Sequence, residues 1–381
     1  MRLWPSRRQS PPGVLGPEDL SITQDLLRRN IDDIVVVREQ RLLGSILVFR
    51  GDLLMPPTRA LDVLLERFRR FGYTPFLRVD GDAVAVQAWP LAHTVERQRV
   101  ALNLLLFLLT CVSTLMAGAF FFVGSPTFDA FRSAALPLPL RFLAGVPFAA
   151  TLIGILGTHE FGHYFTARHY NASVSLPYFI PAPPPFLFGT FGAIIRMRSP
   201  ARDRNSLFDI AVAGPLAGLA VAIPATLLGL AWSVVGPTQG HFTVFGNSLL
   251  WQFFVHLKFG AIPPGMMLYT HPMADAAWAG FLVTALNLFP VGQLDGGRIA
   301  YALFGRHHRV VGIMTFGALL ALGALTGAVN WFVWAALLFF MVGFHHSHPL
   351  DDLTPLSPGR RLLGVLCLVL LVLLVPPIPI G

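Results

Sequence analysis

The chain has 381 residues, of which 54% are hydrophobic and only 13% are charged, about half the charged share of a typical soluble protein. Its mean hydropathy is +0.62. This composition excludes a soluble single-domain enzyme, a disordered chain and a nucleic-acid-binding protein, and it predicts a polytopic membrane protein.

The net charge of +8 is the excess of 28 basic residues, 27 Arg and a single Lys, over 20 acidic ones. With the N-terminal region placed in the cytoplasm, 25 of these 28 basic residues fall on the cytoplasmic side, as positive charge does in membrane proteins. We therefore predict a multi-pass protein with a cytoplasmic N-terminal domain. The preference for Arg over Lys indicates a bacterial inner (cytoplasmic) membrane, and no nucleic-acid partner is expected.

The N-terminal part predicts a flexible tail over 1–24 and a cytoplasmic soluble α+β domain over 25–95. Its elements follow the order ββαββ and end near Pro90, with a helix between two hairpin-like pairs of strands. A regulatory or scaffold role is the simplest interpretation. The predicted elements are Ile34–Arg38, Ser45–Arg50, Thr58–Phe71, Tyr73–Val79 and Ala83–Trp89.

Residues 98–381 predict an all-α transmembrane domain, because its apolar stretches reach the length needed to cross a bilayer. Seven spans is the best count. The stretch 242–267 stays open as a span, a re-entrant segment or an interfacial segment. The predicted spans are 100–123, 143–167, 207–235, 273–294, 310–327, 330–345 and 362–378.

The second span contains His159, Glu160 and His163. Two His four residues apart lie on one helix face and can bind one metal ion, and the adjacent Glu can reach a metal-bound water. Glu160 is the only Glu after residue 97. An ionised group there costs about 2.5–3.5 kcal/mol unless it is paired or faces a cavity, which indicates a functional role. The alternative is that the His residues bond neighbouring helices and Glu160 relays protons.

Catalytic zinc takes three protein ligands and keeps a position for water, so a third ligand is needed. Asp295 is the natural candidate, because it ends the fourth predicted span where Pro290, Gly292 and the Gly296-Gly297 pair break the helix. A helix break at membrane depth requires a polar cavity.

Together these segments resemble the site-2 protease family of intramembrane zinc metalloproteases, peptidase family M50. The resemblance rests on His159-Glu160-Phe161-Gly162-His163, on Asn287…Pro290…Leu294-Asp295-Gly296 and on the Gly214–Gly218 run. It covers roughly 140–300, which would be the catalytic core of a metalloprotease domain.

The resemblance implies one Zn²⁺ per chain, bound by His159, His163 and Asp295, with Glu160 as general base and then general acid. It also implies that Asn287 contacts the substrate backbone or the developing oxyanion, with Pro290 in the same substrate-binding motif. Zinc supplies a nucleophile at neutral pH in a buried site, which agrees with this chemistry.

A substrate helix has to unwind before it is cut, and the loop after the second span contains an extended segment that can hold it as an added strand. We predict that this segment binds substrate; the alternative is an ordinary cytoplasmic loop with amphipathic anchoring. Its substrate-binding residues are Gly189, Thr190, Phe191 and Gly192.

The sequence therefore predicts an intramembrane zinc endopeptidase that cuts single-span membrane proteins near the cytoplasmic face. The competing hypothesis is a zinc- or proton-coupled transporter that uses His159, His163 and Asp295 as a transit site. A transporter predicts internal repeats and a continuous polar path, whereas the polar residues of this chain concentrate in one place.

Overall fold

A computed structural model of the chain describes residues 17–90, 98–120, 142–183, 186–238, 246–339 and 348–376. Contacts divide the chain into two units. The first comprises the residues up to Glu96 together with Pro349–Pro355, and the second comprises Arg97–His348 and the residues from Leu356 onward.

The first unit contains a four-stranded antiparallel sheet with the strand order β1-β2-β4-β3. The order ββαββ agrees with the prediction. A helix already begins at Pro17, however, inside the segment 1–24 predicted to be a tail, and its end joins the core through the buried Leu27. The elements are α1 (Pro17–Arg29), β1 (Val35–Leu43), β2 (Ile46–Leu53), α2 (Pro57–Arg69), β3 (Tyr73–Asp80) and β4 (Ala83–Pro90).

A distant part of the chain completes this first unit. The N–H of Leu77 in the edge strand β3 donates to the carbonyl of Leu350 at 2.7 Å, and the N–H of Asp352 donates to the carbonyl of Leu77 at 3.1 Å. Leu350 is buried in the core of the unit. The segment 349–355 thus covers an otherwise open sheet edge.

The second unit is mainly helical, and its largest core lies among α4, α5 and α7. Its elements in chain order are α3 (Val100–Phe120), α4 (Val146–His169), β5 (Tyr178–Pro181), β6 (Thr190–Ile194), α5 (Arg204–Ala231), β7 (Val234–Pro237), α6 (Leu249–Phe259), β8 (Met266–Tyr269), α7 (Pro272–Leu288), α8 (Asp295–Phe304), α9 (His308–Thr326), α10 (Val329–Leu337) and α11 (Pro358–Leu374).

Helices occur in all seven segments predicted as spans, but only three in the described part are long and apolar enough to cross a bilayer by themselves. These are Val100–Ala119, Arg204–Ala231 and the continuous run Asp295–Thr326. The chain is therefore a membrane protein with three candidate spans, and seven spans stay a prediction.

Two details correct the sequence-based view of an all-α membrane domain. Two short antiparallel pairs, β5–β6 and β7–β8, lie between the helices. The open stretch 242–267 contains α6, whose 11 residues are too few to cross a bilayer, followed by β8.

The predicted helix break is present, with different bounds. Helix α7 ends at Leu288 rather than at 294, because Pro290 lacks the N–H that would continue it. Helix α8 then begins at Asp295, so Gly296 and Gly297 lie in its first turn and not in the break. Added Cβ atoms at these glycines would meet backbone atoms of 288–292, which explains why no larger residue stands there.

Candidate metal centre and active site

Helix α4 carries His159, Glu160 and His163, which are 3%, 5% and 3% exposed. The helix begins with Pro147 in its first turn, where a missing N–H costs nothing. It ends where Asn171 takes a left-handed conformation (φ 56°), which stops helical hydrogen bonding. The intervening 24 residues form an uninterrupted helix, so the two imidazoles lie one turn apart on the same face.

The helix break brings Asp295 to these imidazoles. Its Oδ2 lies 3.1 Å from Nε2 of His163 and 3.3 Å from Nε2 of His159, and the two Nε2 atoms are 3.1 Å apart. Ligands about 2.0–2.1 Å from a tetrahedral zinc ion lie roughly 3.3 Å from one another. Two imidazole nitrogens and one carboxylate oxygen at these separations therefore fit zinc, with a fourth position left for water.

Helix α5 orients the imidazole of His163 through its Nδ1 atom, on the side of the ring away from the metal position. Nδ1 of His163 lies 2.7 Å from the carbonyl oxygen of Ile210. Donation from Nδ1 to this oxygen leaves Nε2 unprotonated and aimed at the metal position, an arrangement common to metal-binding His. The sequence offers no signal for this contact, because any residue at 210 supplies a carbonyl.

Glycines let α4 and α5 approach closely at the site. A Cβ at Gly162 would lie 2.6 Å from the carbonyl oxygen of Ala213, and a Cβ at Gly214 would collide with the imidazole of His163. At Gly218 an added Cβ would lie 3.3 Å from Cβ of His159. The Gly214–Gly218 run is thus the surface against which both imidazoles pack.

Glu160 is held by the backbone of the neighbouring hairpin. The pairing of β5 with β6 ends at Ile194, and a second bridge joins Val174 to Met197. Between them, the backbone N–H of Ile195 donates to the Glu160 carboxylate. Sequence reasoning missed this contact, although it placed an extended segment here.

The predicted substrate-binding residues lie in two places. Nδ2 of Asn287, in the last turn of α7, lies 3.3 Å from Nε2 of His159, and Pro290 is buried in the helix break. The other predicted residues lie in or directly before β6, where Phe191 is 57% exposed while Gly189, Thr190 and Gly192 are buried.

An ion pair that was not predicted from the sequence connects three helices next to the metal centre. Arg360 of α11 donates to both carboxylate oxygens of Asp209 in α5, at 2.7 and 2.6 Å, and Tyr170 at the end of α4 also donates to Asp209. Asp209 lies in the second turn of α5, which Asp203 caps. Asp209 directly precedes Ile210, whose carbonyl orients His163.

Comparisons with known proteins agree with this site. A family model described as "Peptidase family M50" matches residues 147–324. The chain is 31% identical over 381 residues to the probable zinc metalloprotease EGY2, chloroplastic, of Oryza sativa subsp. indica, which covers 94% of this chain and 66% of the relative. No solved structure matches.

Two relatives from Arabidopsis thaliana match more locally. The chain is 34% identical over 243 residues to the probable zinc metalloprotease EGY2, chloroplastic (62% of this chain, 42% of the relative). It is 33% identical over 245 residues to the probable zinc metalloprotease EGY1, chloroplastic (62% and 43%). The chain thus spans just under two thirds of the rice relative and less than half of the Arabidopsis ones.

The predictions of the family and of zinc as the cofactor are confirmed by these matches and by the donor set of His159, His163 and Asp295. The chain belongs to peptidase family M50, the site-2 protease family of zinc metalloproteases.

Proposed function

We propose that the chain is an intramembrane zinc endopeptidase that hydrolyses peptide bonds of single-span membrane proteins near the cytoplasmic face. The observation that carries this proposal is the meeting of His159, His163 and Asp295 in buried surroundings, with Glu160 next to the first His. Membership of a zinc metalloprotease family supports the same chemistry.

His159, His163 and Asp295 would hold one zinc ion, which supplies Lewis acidity for activating water and polarising a carbonyl group. Glu160 accepts the proton of the attacking water and returns it to the leaving amine. The N–H of Ile195 holds the Glu160 carboxylate in place for both transfers. Asn287 donates to the substrate backbone or to the developing oxyanion, which its position beside His159 allows.

The substrate would bind as a strand added to β6. Within the described residues β6 pairs only with β5, and no second strand of this part of the chain lies along its other edge. Gly192 has a φ of 103°, and the exposed Phe191 offers an aromatic side chain to a bound peptide. An unwound substrate segment on this edge continues toward Ile195 and hence toward Glu160.

The zinc- or proton-coupled transporter is the weaker candidate. The relatives reported above carry the name zinc metalloprotease, and the polar groups of the site converge on one point. Zinc transport by the chain would be detected as zinc flux across the membrane.

We further propose that the N-terminal domain is cytoplasmic and that the protein resides in a cytoplasmic membrane. The distribution of Arg between the loops supports this orientation. The printed names of the plant relatives place those proteins in chloroplasts and give no support for a bacterial inner membrane.

Substitution of Glu160 by Gln tests the proposal. Reconstituted with a single-span model substrate, the variant should lose cleavage by about a thousandfold because general acid–base catalysis is removed. Its zinc content, measured by plasma mass spectrometry, should stay at that of the wild type. A His169→Gln variant, at the exposed end of the same helix, is the matched control and should cleave normally.

Zinc flux into the same vesicles separates the two candidate functions. A protease moves no zinc in either form of the chain. Zinc uptake that survives Glu160→Gln, without cleavage by the wild type, would establish the transporter instead.

A further inference from the structure

Helix α3 is apolar enough to cross a bilayer, yet one of its faces carries polar side chains. Asn103, Thr110 and Thr114 are buried and follow one another at steps of seven and four residues, which places them on one side of the helix. Polar side chains on a membrane helix commonly bond to another part of the protein, because lipid offers them no partner. None of these side chains belongs to the catalytic machinery proposed above.

Side chains of α3 bond to both ends of the β5–β6 hairpin. Nδ2 of Asn103 donates to the carbonyl oxygens of Leu176 at 3.2 Å and of Pro177 at 2.8 Å, directly before β5. Oγ of Ser113, ten residues further along the helix, donates to the carbonyl oxygen of Gly189 at 2.6 Å, directly before β6. One helix therefore holds the hairpin at its base and near its tip.

The lengths of helix and hairpin between these two contacts match. Ten residues of helix rise about 15 Å. The strand from Pro177 to Ala182, whose N–H donates to the Gly189 carbonyl, covers about 16 Å. Between the two ends, the ring of Phe107 packs edge-on against Phe179 of β5, with 5.1 Å between the ring centres. Helix α3 thus runs alongside β5 from one end of the strand to the other.

Gly189 lets the helix and the hairpin approach closely at the second contact. A Cβ at this position would lie 2.3 Å from the carbonyl oxygen of Ser113. Its φ of 66° is also a conformation that residues with a side chain rarely adopt. A larger residue at 189 would therefore push the hairpin away from α3.

The hairpin is braced within itself, so it should move as one body. Oγ1 of Thr190 donates to the carbonyl of Ile180 in the opposite strand at 2.8 Å and accepts from the N–H of Gly192 at 3.0 Å. Strand β6 then leads to Ile195, whose N–H donates to the Glu160 carboxylate. A displacement of the hairpin would therefore move the edge of β6 relative to Glu160.

We propose that Asn103 and Ser113 are positioning residues that hold the hairpin in place and thereby determine which peptide bond of a substrate strand on β6 lies at the metal position. A strand advances about 3.3 Å per residue, so a hairpin displaced by that distance presents the neighbouring bond. Both side chains act through the hairpin and do not contact the substrate. This inference rests on the function proposed above and adds to it the choice of the cleaved bond.

The test uses the full chain in phosphatidylcholine vesicles together with a single-span model substrate. Mass spectrometry of the products identifies every cleaved bond and the rate at which it is cut. The wild type should cut mainly one bond. In Ser113→Val, cleavage of that bond should fall about 10- to 100-fold, as expected for a misplacement of about 1 Å, and cleavage of a neighbouring bond should become measurable. The zinc content should stay at that of the wild type.

Ser113→Val should fold, because the Gly189 carbonyl keeps the N–H of Ala182 as a donor. Ser113→Thr has the shape of the Val variant but retains the hydroxyl, so it should cut the wild-type bond. Asn103→Leu removes the donors at the other end of the hairpin and should also give cleavage at more than one bond. If Asn103→Leu does not fold, the comparison of Ser113→Val with Ser113→Thr still decides the question.

Thr114→Val is the matched control on the same helix. Oγ1 of Thr114 donates to the carbonyl of Thr110, so its hydrogen bond lies within α3 and does not involve the hairpin. The variant should cut the same bond as the wild type at a similar rate.

The outcomes separate this inference from the proposed function. Cleavage of the wild-type bond alone by Ser113→Val, at full or reduced rate, overturns the choice of bond by α3 and leaves the protease intact. Equal behaviour of Ser113→Val and Ser113→Thr also overturns it, because the hydroxyl would then have no part in the choice. A wild type that cuts many bonds equally has the same meaning. No cleavage by the zinc-loaded wild type overturns both proposals.

Discussion

The two units of the chain place their charged groups in opposite ways. In the N-terminal unit most of the described ion pairs lie at the surface: Arg67 and Asp33, for example, contact each other while 31% and 59% exposed, and the core is apolar. In the membrane unit His159, Glu160 and Asp295 are almost fully buried. Exposed pairs contribute little to stability, whereas a buried charge depends on each of its partners.

Because of this difference, substitutions should be more costly in the membrane unit than in the N-terminal unit. In the membrane unit the buried His163 and Glu160 each have a specific backbone partner, the carbonyl of Ile210 and the N–H of Ile195. Loss of one partner should therefore change metal binding or activity. In the N-terminal unit similar losses should be small.

The largest effect is expected for Asp295→Ala. Removal of one of three ligands should weaken zinc binding by more than the hundredfold or so that loss of an outer partner causes. Zinc titration after dialysis against a chelator measures this. Asp275→Asn, a buried carboxyl outside the site with Thr270 as its partner, is the control. Full zinc occupancy in Asp295→Ala would exclude Asp295 as a ligand.

Gly214→Ala should have the second-largest effect on zinc binding. The added methyl group collides with the imidazole of His163, so the ring must move away from the metal position. Zinc affinity and cleavage should both fall about 10- to 100-fold. Gly317→Ala in α9, where an added Cβ meets nothing within 4 Å, should leave both unchanged. Equal behaviour of the two variants would show that glycine at 214 does not shape the centre.

Arg360→Lys should lower stability by about 1–3 kcal/mol, because Lys loses the paired contact with Asp209. Thermal unfolding in detergent measures the change. The neighbouring Arg361 is exposed and makes one hydrogen bond to the carbonyl of Leu356, so Arg361→Lys should cost less. A smaller shift for Arg360→Lys than for its neighbour would contradict the role of this ion pair.

Asp33→Asn should have the smallest effect, below about 1 kcal/mol. The paired hydrogen bonds from Arg67 hold the pKa of the Asp33 carboxyl below its usual value. This stabilisation is present above the unfolded pKa near 4 and is lost as the pH falls through the lower folded pKa. At pH 7 the amide hydrogens of residues 25–90 should therefore exchange faster in the variant than in the wild type. In strong acid the two proteins should exchange at the same rate.

Asp25 is also an exposed aspartate, so Asp25→Asn is the matched control for this measurement. Asp25→Asn should exchange like the wild type at both pH values. If Asp33→Asn is the more stable protein at neutral pH, the contact with Arg67 contributes nothing.

The three metal-binding residues could be predicted from the sequence for specific physical reasons. Helical periodicity alone places His159 and His163 on one face, and Pro290 marks the break that brings in Asp295. The contacts of Ile195 and Ile210 could not be read, because they use backbone atoms common to all residues. The pairing of Asp209 with Arg360 could not be predicted either, because about 150 residues separate the partners and no local pattern links them.

The return of Pro349–Pro355 to the N-terminal sheet has a consequence for biosynthesis. The edge of β3 gains its partner only after residue 350 has been made, when α3 to α10 have already been synthesised. The domain encoded first is therefore finished late, and a fragment that stops at Glu96 should lack Leu350 from its core and expose an unpaired strand.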